Sequence, residues 1–135
     1  MQAMVDIEEP TETPGRSPKR SRRLLAGFFI LAGVNHFVQP RPYEKIVPPA
    51  LEGEAKRVVM ASGVAEIAGG LGVLLPWTRR LSGLGLIALL AAVFPANLYM
   101  AREPKRFSQI PPWALYARLP LQPLMMLWAW RATRR

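Results

Sequence analysis

The feature that most constrains this chain is a series of long apolar segments separated by short basic or proline-bearing turns. They run from Leu24 to Val38, Val58 to Trp77, Leu81 to Met100 and Pro112 to Trp130. A hydrocarbon core about 30 Å thick is crossed by roughly 20 helical residues rising 1.5 Å each. The last three segments reach that length. The first is shorter, but Lys19 and Arg23 can lay their stems along its start. A water-soluble bundle is the competing reading, and the second and third segments argue against it: neither has a charged face wide enough to meet water. The expected fold is therefore all-α, an integral membrane four-helix bundle over residues 21–135, with spans at about 22–39, 57–77, 81–100 and 112–130. Residues 1–20 are expected to be a disordered tail. They are acidic at first, contain Pro10, Pro14 and Pro18, and have no apolar period to offset the entropy of ordering.

Charge supports the same reading by its position. The chain holds 18 Lys and Arg against 9 Asp and Glu. Such a balance suits nucleic acid, a membrane surface or the flanks of membrane spans. The basic residues lie between apolar runs and not along a polar face interleaved with aromatics, so the expected partner is a lipid bilayer and not nucleic acid. Four spans put both termini on one side, with Arg16, Lys19, Arg20, Arg22, Arg23, Arg79, Arg80, Arg131, Arg134 and Arg135. The opposite side has Arg41, Lys45, Lys56, Arg57, Arg102, Lys105 and Arg106, with acidic residues among them. The excess places both termini in the cytoplasm. Arg22-Arg23 before an apolar run also suits a signal segment. No small-residue cleavage site follows it, and Asn35 and His36 would have no use in a discarded piece, so a retained helix is expected. With no Cys in the chain, disulfide and thiol chemistry are excluded.

Small residues recur at four-residue spacing in the second segment (Ala61, Ala65, Gly69) and the third (Ala88, Ala92, Ala96). In lipid such stripes let helix backbones approach closely, and they are the expected contact faces. Trp77, Tyr99, Trp113, Trp128 and Trp130 sit near span ends, where amphipathic rings favour the interface.

Ionisable groups inside a span cost at least about 2.5–3.5 kcal/mol at mid-depth, so each needs a reason. His36, Glu66 and Arg118 are the three, with Asn35, Ser62, Asn97 and Gln122 as uncharged companions. Hairpin order sets their depths: His36 and Asn97 lie near the far ends of helices one and three, and Arg118 near the entry of helix four. Glu66 is ten residues past Lys56, on the order of 15 Å deeper. They should therefore meet in the outer half of the bilayer or its middle. A Glu66–Arg118 ion pair, with His36 and Asn97 completing its hydrogen bonds, is the expected arrangement. Such a cluster either fixes helix register or forms a ligand site, and both readings stay open here. A lone His is no metal site, no metal is expected, and no nucleophile triad is evident. Catalytic residues are therefore not assigned. The loop Arg41 to Pro49 is stiffened by its prolines, and Tyr43 in it is either an interfacial anchor or a lid over the cluster.

The stretch Ala32-Gly33-Val34-Asn35-His36-Phe37, followed by Pro40, Tyr43 and Ile46-Val47-Pro48-Pro49, resembles the start of DoxX-like membrane proteins. Ser62 to Gly72, Phe94-Pro95-Ala96-Asn97 and Arg118-Leu119-Pro120-Leu121-Gln122 resemble later helices of that family. The resemblance implies a bacterial four-helix inner-membrane protein associated with redox chemistry. It also implies membrane or redox proteins as partners. The functional expectation is a redox-linked subunit or accessory protein. Its His36, Glu66, Asn97, Arg118 and Gln122 would bind a small polar or quinone-type head group; no other cofactor is evident. The alternative is a non-enzymatic assembly factor or scaffold that docks partner helices on its small-residue stripes.

Overall fold

A computed structural model describes residues 18–135. Among them the chain is all-α with no strand: α1 spans Pro18–Val38, α2 Pro40–Ile46, α3 Ala55–Leu74, α4 Arg79–Arg102 and α5 Pro112–Thr133. Two 3-10 turns, Pro49–Glu54 and Pro104–Phe107, complete the connections. The count of four helices is corrected to five. The segment expected to be a stiff loop is itself the short helix α2. Pro40 opens it with a φ already suited to a helix, and Pro48 closes it by holding Val47 extended at ψ 128°. The disordered tail expected over residues 1–20 lies outside the described residues for 1–17, and residues 18–20 form the first turn of α1.

The four longer helices cover the four apolar segments, and prolines set several of their ends. Gln39, before Pro40, leaves helical geometry and ends α1. Leu75, before Pro76, is extended at ψ 129° and ends α3. The carbonyls exposed at the end of α3 are then satisfied from the turn. Thr78 Oγ1 donates to Gly72 O at 2.8 Å, and Arg79 Nε donates to Val73 O at 3.3 Å. Two helical stretches, Pro49–Leu74 and α4, are long and apolar enough to cross a membrane.

The long helices form a closed ring in the order α1, α3, α4, α5, with α2 laid against α1, α3 and α4 at one end. The tightest crossing joins α1 to α3. A Cβ on Gly33 would come within 2.7 Å of the Gly63 carbonyl oxygen, and one on Gly63 within 2.9 Å of His36 Cβ. Only hydrogen fits there. Val59, Gly63, Gly70 and Val73 are the buried stripe of α3. The alanines of the stripes expected as contact faces are largely turned outward: Ala61, Ala65, Ala88 and Ala92 are exposed, whereas a Cβ on Gly69 would meet Leu86.

Two apolar clusters close the ends of the ring. At the end bearing the C-terminus, Leu25, Phe29, Val73, Leu86, Ala129 and Ala132 pack together. Trp128 Nε1 donates to Ser21 Oγ there at 2.9 Å, and both Arg22 and Arg79 donate to the Arg135 carbonyl. At the other end, Met100, Phe107 and Leu115 pack with Ile46 and Tyr99. Between these clusters the ring is hollow.

The α1–α3 approach predicts an asymmetry between glycines of one helix. Gly33→Ala should destabilise the bundle by about 1–3 kcal/mol through overpacking against rigid backbone. Gly27→Ala, whose new methyl group meets nothing within 4 Å, should be neutral or gain up to about 1 kcal/mol. Thermal unfolding in detergent, followed by circular dichroism at the helix band, separates the two.

Candidate functional site: a polar-ended cavity within the helix ring

The hollow is a cavity of about 420 Å³. His36, Tyr43, Glu66, Asn97, Arg118 and Gln122 all line it, so the residues singled out from the sequence do meet. Their pairing differs from the expected one.

His36 projects from the α1 face that crosses α3, and Glu66 lies one turn beyond Gly63 on the facing stripe. The close crossing brings His36 Nδ1 to 3.1 Å from Glu66 Oε2. The same nitrogen is 2.8 Å from the carbonyl oxygen of Ala32, four residues earlier on α1. A carbonyl can only accept, so Nδ1 carries a proton and donates it to Ala32 O. Glu66 Oε2 is left buried with no hydrogen-bond partner among the described residues. Tyr43 on α2 stacks on the imidazole, with ring centroids 3.9 Å apart and planes inclined by 21°. Asn35 Nδ2 donates to the Tyr43 hydroxyl at 2.7 Å and fixes the ring in that position.

The expected Glu66–Arg118 pair is not formed. Helices α3 and α5 face each other across the ring and are not neighbours, so the glutamate finds the histidine of α1 instead. Arg118 is exposed at the cavity rim, where its Nη1 reaches Met100 Sδ at 3.6 Å. No carboxylate among the described residues pairs with it.

Asn97 and Gln122 form the second polar unit, between the neighbouring helices α4 and α5. Asn97 Nδ2 donates to Gln122 Oε1, and Gln122 Nε2 donates to the carbonyl of Leu90. Pro95 has no N–H to give the preceding turn of α4, and a side-chain amide from α5 hydrogen-bonds the backbone just before that gap. Gln122 is 4% exposed, so this contact ties two helices inside the ring.

The rest of the wall is apolar. Phe28 and Phe29 come from α1, Val59 from α3, Leu90 and Val93 from α4, and Met125 from α5. Ile46, Val47 and Leu51 close it beneath α2. Sequence reasoning missed this wall, because Phe and Val at helical spacing look the same whether they face a core, lipid or a cavity. It also left Asn35 without a role. Its signal was present in the adjacent Asn35-His36 pair, but the stacking tyrosine could not be placed without α2. Among the described residues no group of three His, Asp or Glu side chains is arranged to hold a metal ion.

The fold and site together define an all-helical protein that encloses a mainly apolar cavity with a hydrogen-bonding end. The chain belongs to the family described as Domain of unknown function (DUF8561), which it matches over residues 25–133. That match overturns the resemblance to DoxX-like proteins. The short motifs behind it are those any tightly crossed, polar-lined helix bundle needs: glycines at a crossing, a proline in a helix, an amide facing it. No curated protein and no solved structure matches the chain.

Two substitutions test the site's internal bonding. Gln122→Leu leaves Asn97 Nδ2 without its acceptor and should cost about 1–3 kcal/mol in unfolding free energy. Tyr43→Phe keeps the stacking and removes only the acceptor for Asn35, so its cost should be smaller, about 0.5–1.5 kcal/mol. Urea or thermal titration of both variants beside the parent protein gives the order.

Proposed function

We propose that this protein is a membrane-embedded binding protein for an amphiphilic small molecule. Its four long helices span the bilayer, and the ligand's polar head lies among His36, Glu66, Asn97 and Gln122, with its apolar body against the phenylalanines and Met125. The observation that carries this reading is the inverted distribution of polarity. Leu31, Val64 and Leu124 in the middle of three helices are 72%, 58% and 61% exposed, whereas His36 and Gln122 are 7% and 4% exposed. Apolar patches of that extent on a soluble monomer mark a covered surface, and here they surround the whole ring. Lipid is the cover that fits every side at once.

The aromatic residues agree with such a placement. Trp77 and Trp130 stand at the end of the ring with the C-terminus, and Trp113 at the other, all exposed. The excess of basic residues at the first end favours both termini in the cytoplasm. Tyr43, carried on α2 and stacked over His36, acts as a lid on the polar end. Arg118 at the rim draws an oxygen-bearing head toward the mouth. A quinone-type head is one member of this class. The redox role came with the DoxX resemblance and is not carried forward.

A second reading is an assembly factor that docks partner helices, favoured by the exposure of Ala61, Ala65 and Ala88 on the outer surface. The cavity has no part in that reading.

Purification from native membranes in mild detergent, followed by organic extraction and mass spectrometry, distinguishes the two. An amphiphile enriched with the parent protein and lost in Ala96→Phe, which fills the cavity, is the expected result. A stable protein partner that co-purifies with both, with no enriched small molecule, supports docking instead.

A further inference from the structure

Away from the cavity, the basic end of the ring carries a second hollow, a crevice of about 330 Å³ between the start of α4 and the end of α5. Its floor is a close helix contact. A Cβ on Gly83 would come within 2.7 Å of Thr133 Cβ, and the buried Thr133 donates its hydroxyl to Ala129 O at 2.7 Å. The walls rise beside that contact in matched pairs. Arg80 and Leu84 are four residues apart on α4, and Trp130 and Arg134 are four apart at the end of α5, so each pair shares a face. The Gly83–Thr133 and Asn97–Gln122 contacts make the two helices antiparallel. Both arginines therefore stand at the end of the ring, with both apolar side chains one turn, about 6 Å, deeper. Leu84 and Trp130 are 53% and 48% exposed there.

Side-chain charge at this end is of one sign among the described residues, since Glu44, Glu52, Glu54 and Glu103 all lie on segments at the other end. Arg22 and Arg79 are turned to the carbonyl of Arg135, whereas Arg80 and Arg134 are exposed and pair with no described carboxylate. We infer that the crevice holds an anionic phospholipid, its phosphate between Arg80 and Arg134 and an acyl chain against Leu84 and Trp130. Guanidinium groups match phosphate oxygens in geometry as well as charge. A free phosphate would leave Leu84 and Trp130 bare, and a choline head would bring a further cation beside two unpaired arginines. The inference rests on the proposal that the long helices span a bilayer, and not on what the cavity binds. It turns two of the many basic residues at this end into a lipid site, where the positive-inside rule gives them only a side of the membrane.

The test titrates the purified full chain in detergent with dioleoylphosphatidylglycerol or dioleoylphosphatidylcholine and counts bound lipids by native mass spectrometry. The first phosphatidylglycerol should bind at least about tenfold more tightly than phosphatidylcholine, the scale of two arginines acting on an anionic head. Arg80→Gln and Arg134→Gln should each lower that preference by about fivefold. Arg20→Gln, exposed at the same end but outside the crevice, should lower it by less than about twofold. Glycerol phosphate, which has the head's charge without the chains, should leave the lipid bound when added at equal concentration. Equal binding of the two lipids, a loss in Arg20→Gln as large as in Arg80→Gln, or displacement by glycerol phosphate would overturn the lipid site and leave membrane embedding standing. Binding of neither lipid would contradict both. The comparison of lipids on the parent chain needs no variant, and melting curves check that the three variants, all at exposed positions, are folded.

Discussion

The approach of α1 to α3 at Gly33 and Gly63 is the constraint from which the site follows. Two helix backbones come together there with no side chain between them. In lipid, where helices gain little from hiding apolar surface against each other, close packing of this kind is a principal source of association. It fixes the rotation of both helices at once. On α1 the turn after Gly33 carries His36, and on α3 the turn after Gly63 carries Glu66, so locking the glycines places imidazole beside carboxyl at 3.1 Å. Neither polar group has to hold the helices together. They are brought together by packing, and Glu66 Oε2, beside His36 Nδ1, has no hydrogen-bond partner among the described residues.

The other half of the ring is held differently. Helices α4 and α5 each carry prolines in their interiors, Pro95 in one and Pro120 and Pro123 in the other. Each removes a backbone donor, a loss that cannot be repaired by water in an apolar setting. Gln122 donates to Leu90 O, the carbonyl next to the Ala91 carbonyl that Pro95 leaves without its helical donor, and accepts from Asn97. Its role is cross-helix bonding, in contrast to Glu66. Two polar pairs thus face one cavity with different assignments: the α4–α5 pair is satisfied internally, and the α1–α3 pair is open. Under the proposed function, this contrast puts the ligand's head on the α1–α3 side.

Much of the fold could be read from the sequence, because apolar length and proline punctuation act locally. The ends of α1 and α3 lie at the residues before Pro40 and Pro76, as steric exclusion requires. The depths of His36, Glu66, Asn97 and Arg118 were also legible, since hairpin order alone fixes which end of the bundle each occupies. Lateral neighbours were not. Depth says nothing about whether α3 adjoins α1 or α5, and Glu66 was assigned the wrong partner for that reason. Contact faces failed through rotation: Ala61 and Gly63 are two residues apart, about 200° around a helix, so choosing one stripe turns the other outward. Helix α2 was hidden because a segment of seven residues containing two prolines has little helical preference of its own. It forms against α1, α3 and α4, which local sequence does not record.

The central claim is that the bundle's apolar outside is covered by lipid while its polar inside stays open to water and ligand. Because the chain has no Cys, single cysteines can be introduced without altering a native thiol. Leu31→Cys on the outer face, Ser62→Cys in the cavity wall and Arg57→Cys at the exposed start of α3 would be placed in lipid vesicles. Each would be timed for reaction with a small water-soluble maleimide. The account predicts rapid labelling at position 57, slower but complete labelling at 62, and protection at 31 that is lost only when detergent or denaturant is added. Labelling at position 31 as fast as at 57 in intact vesicles would contradict it, because the apolar surface would then face water.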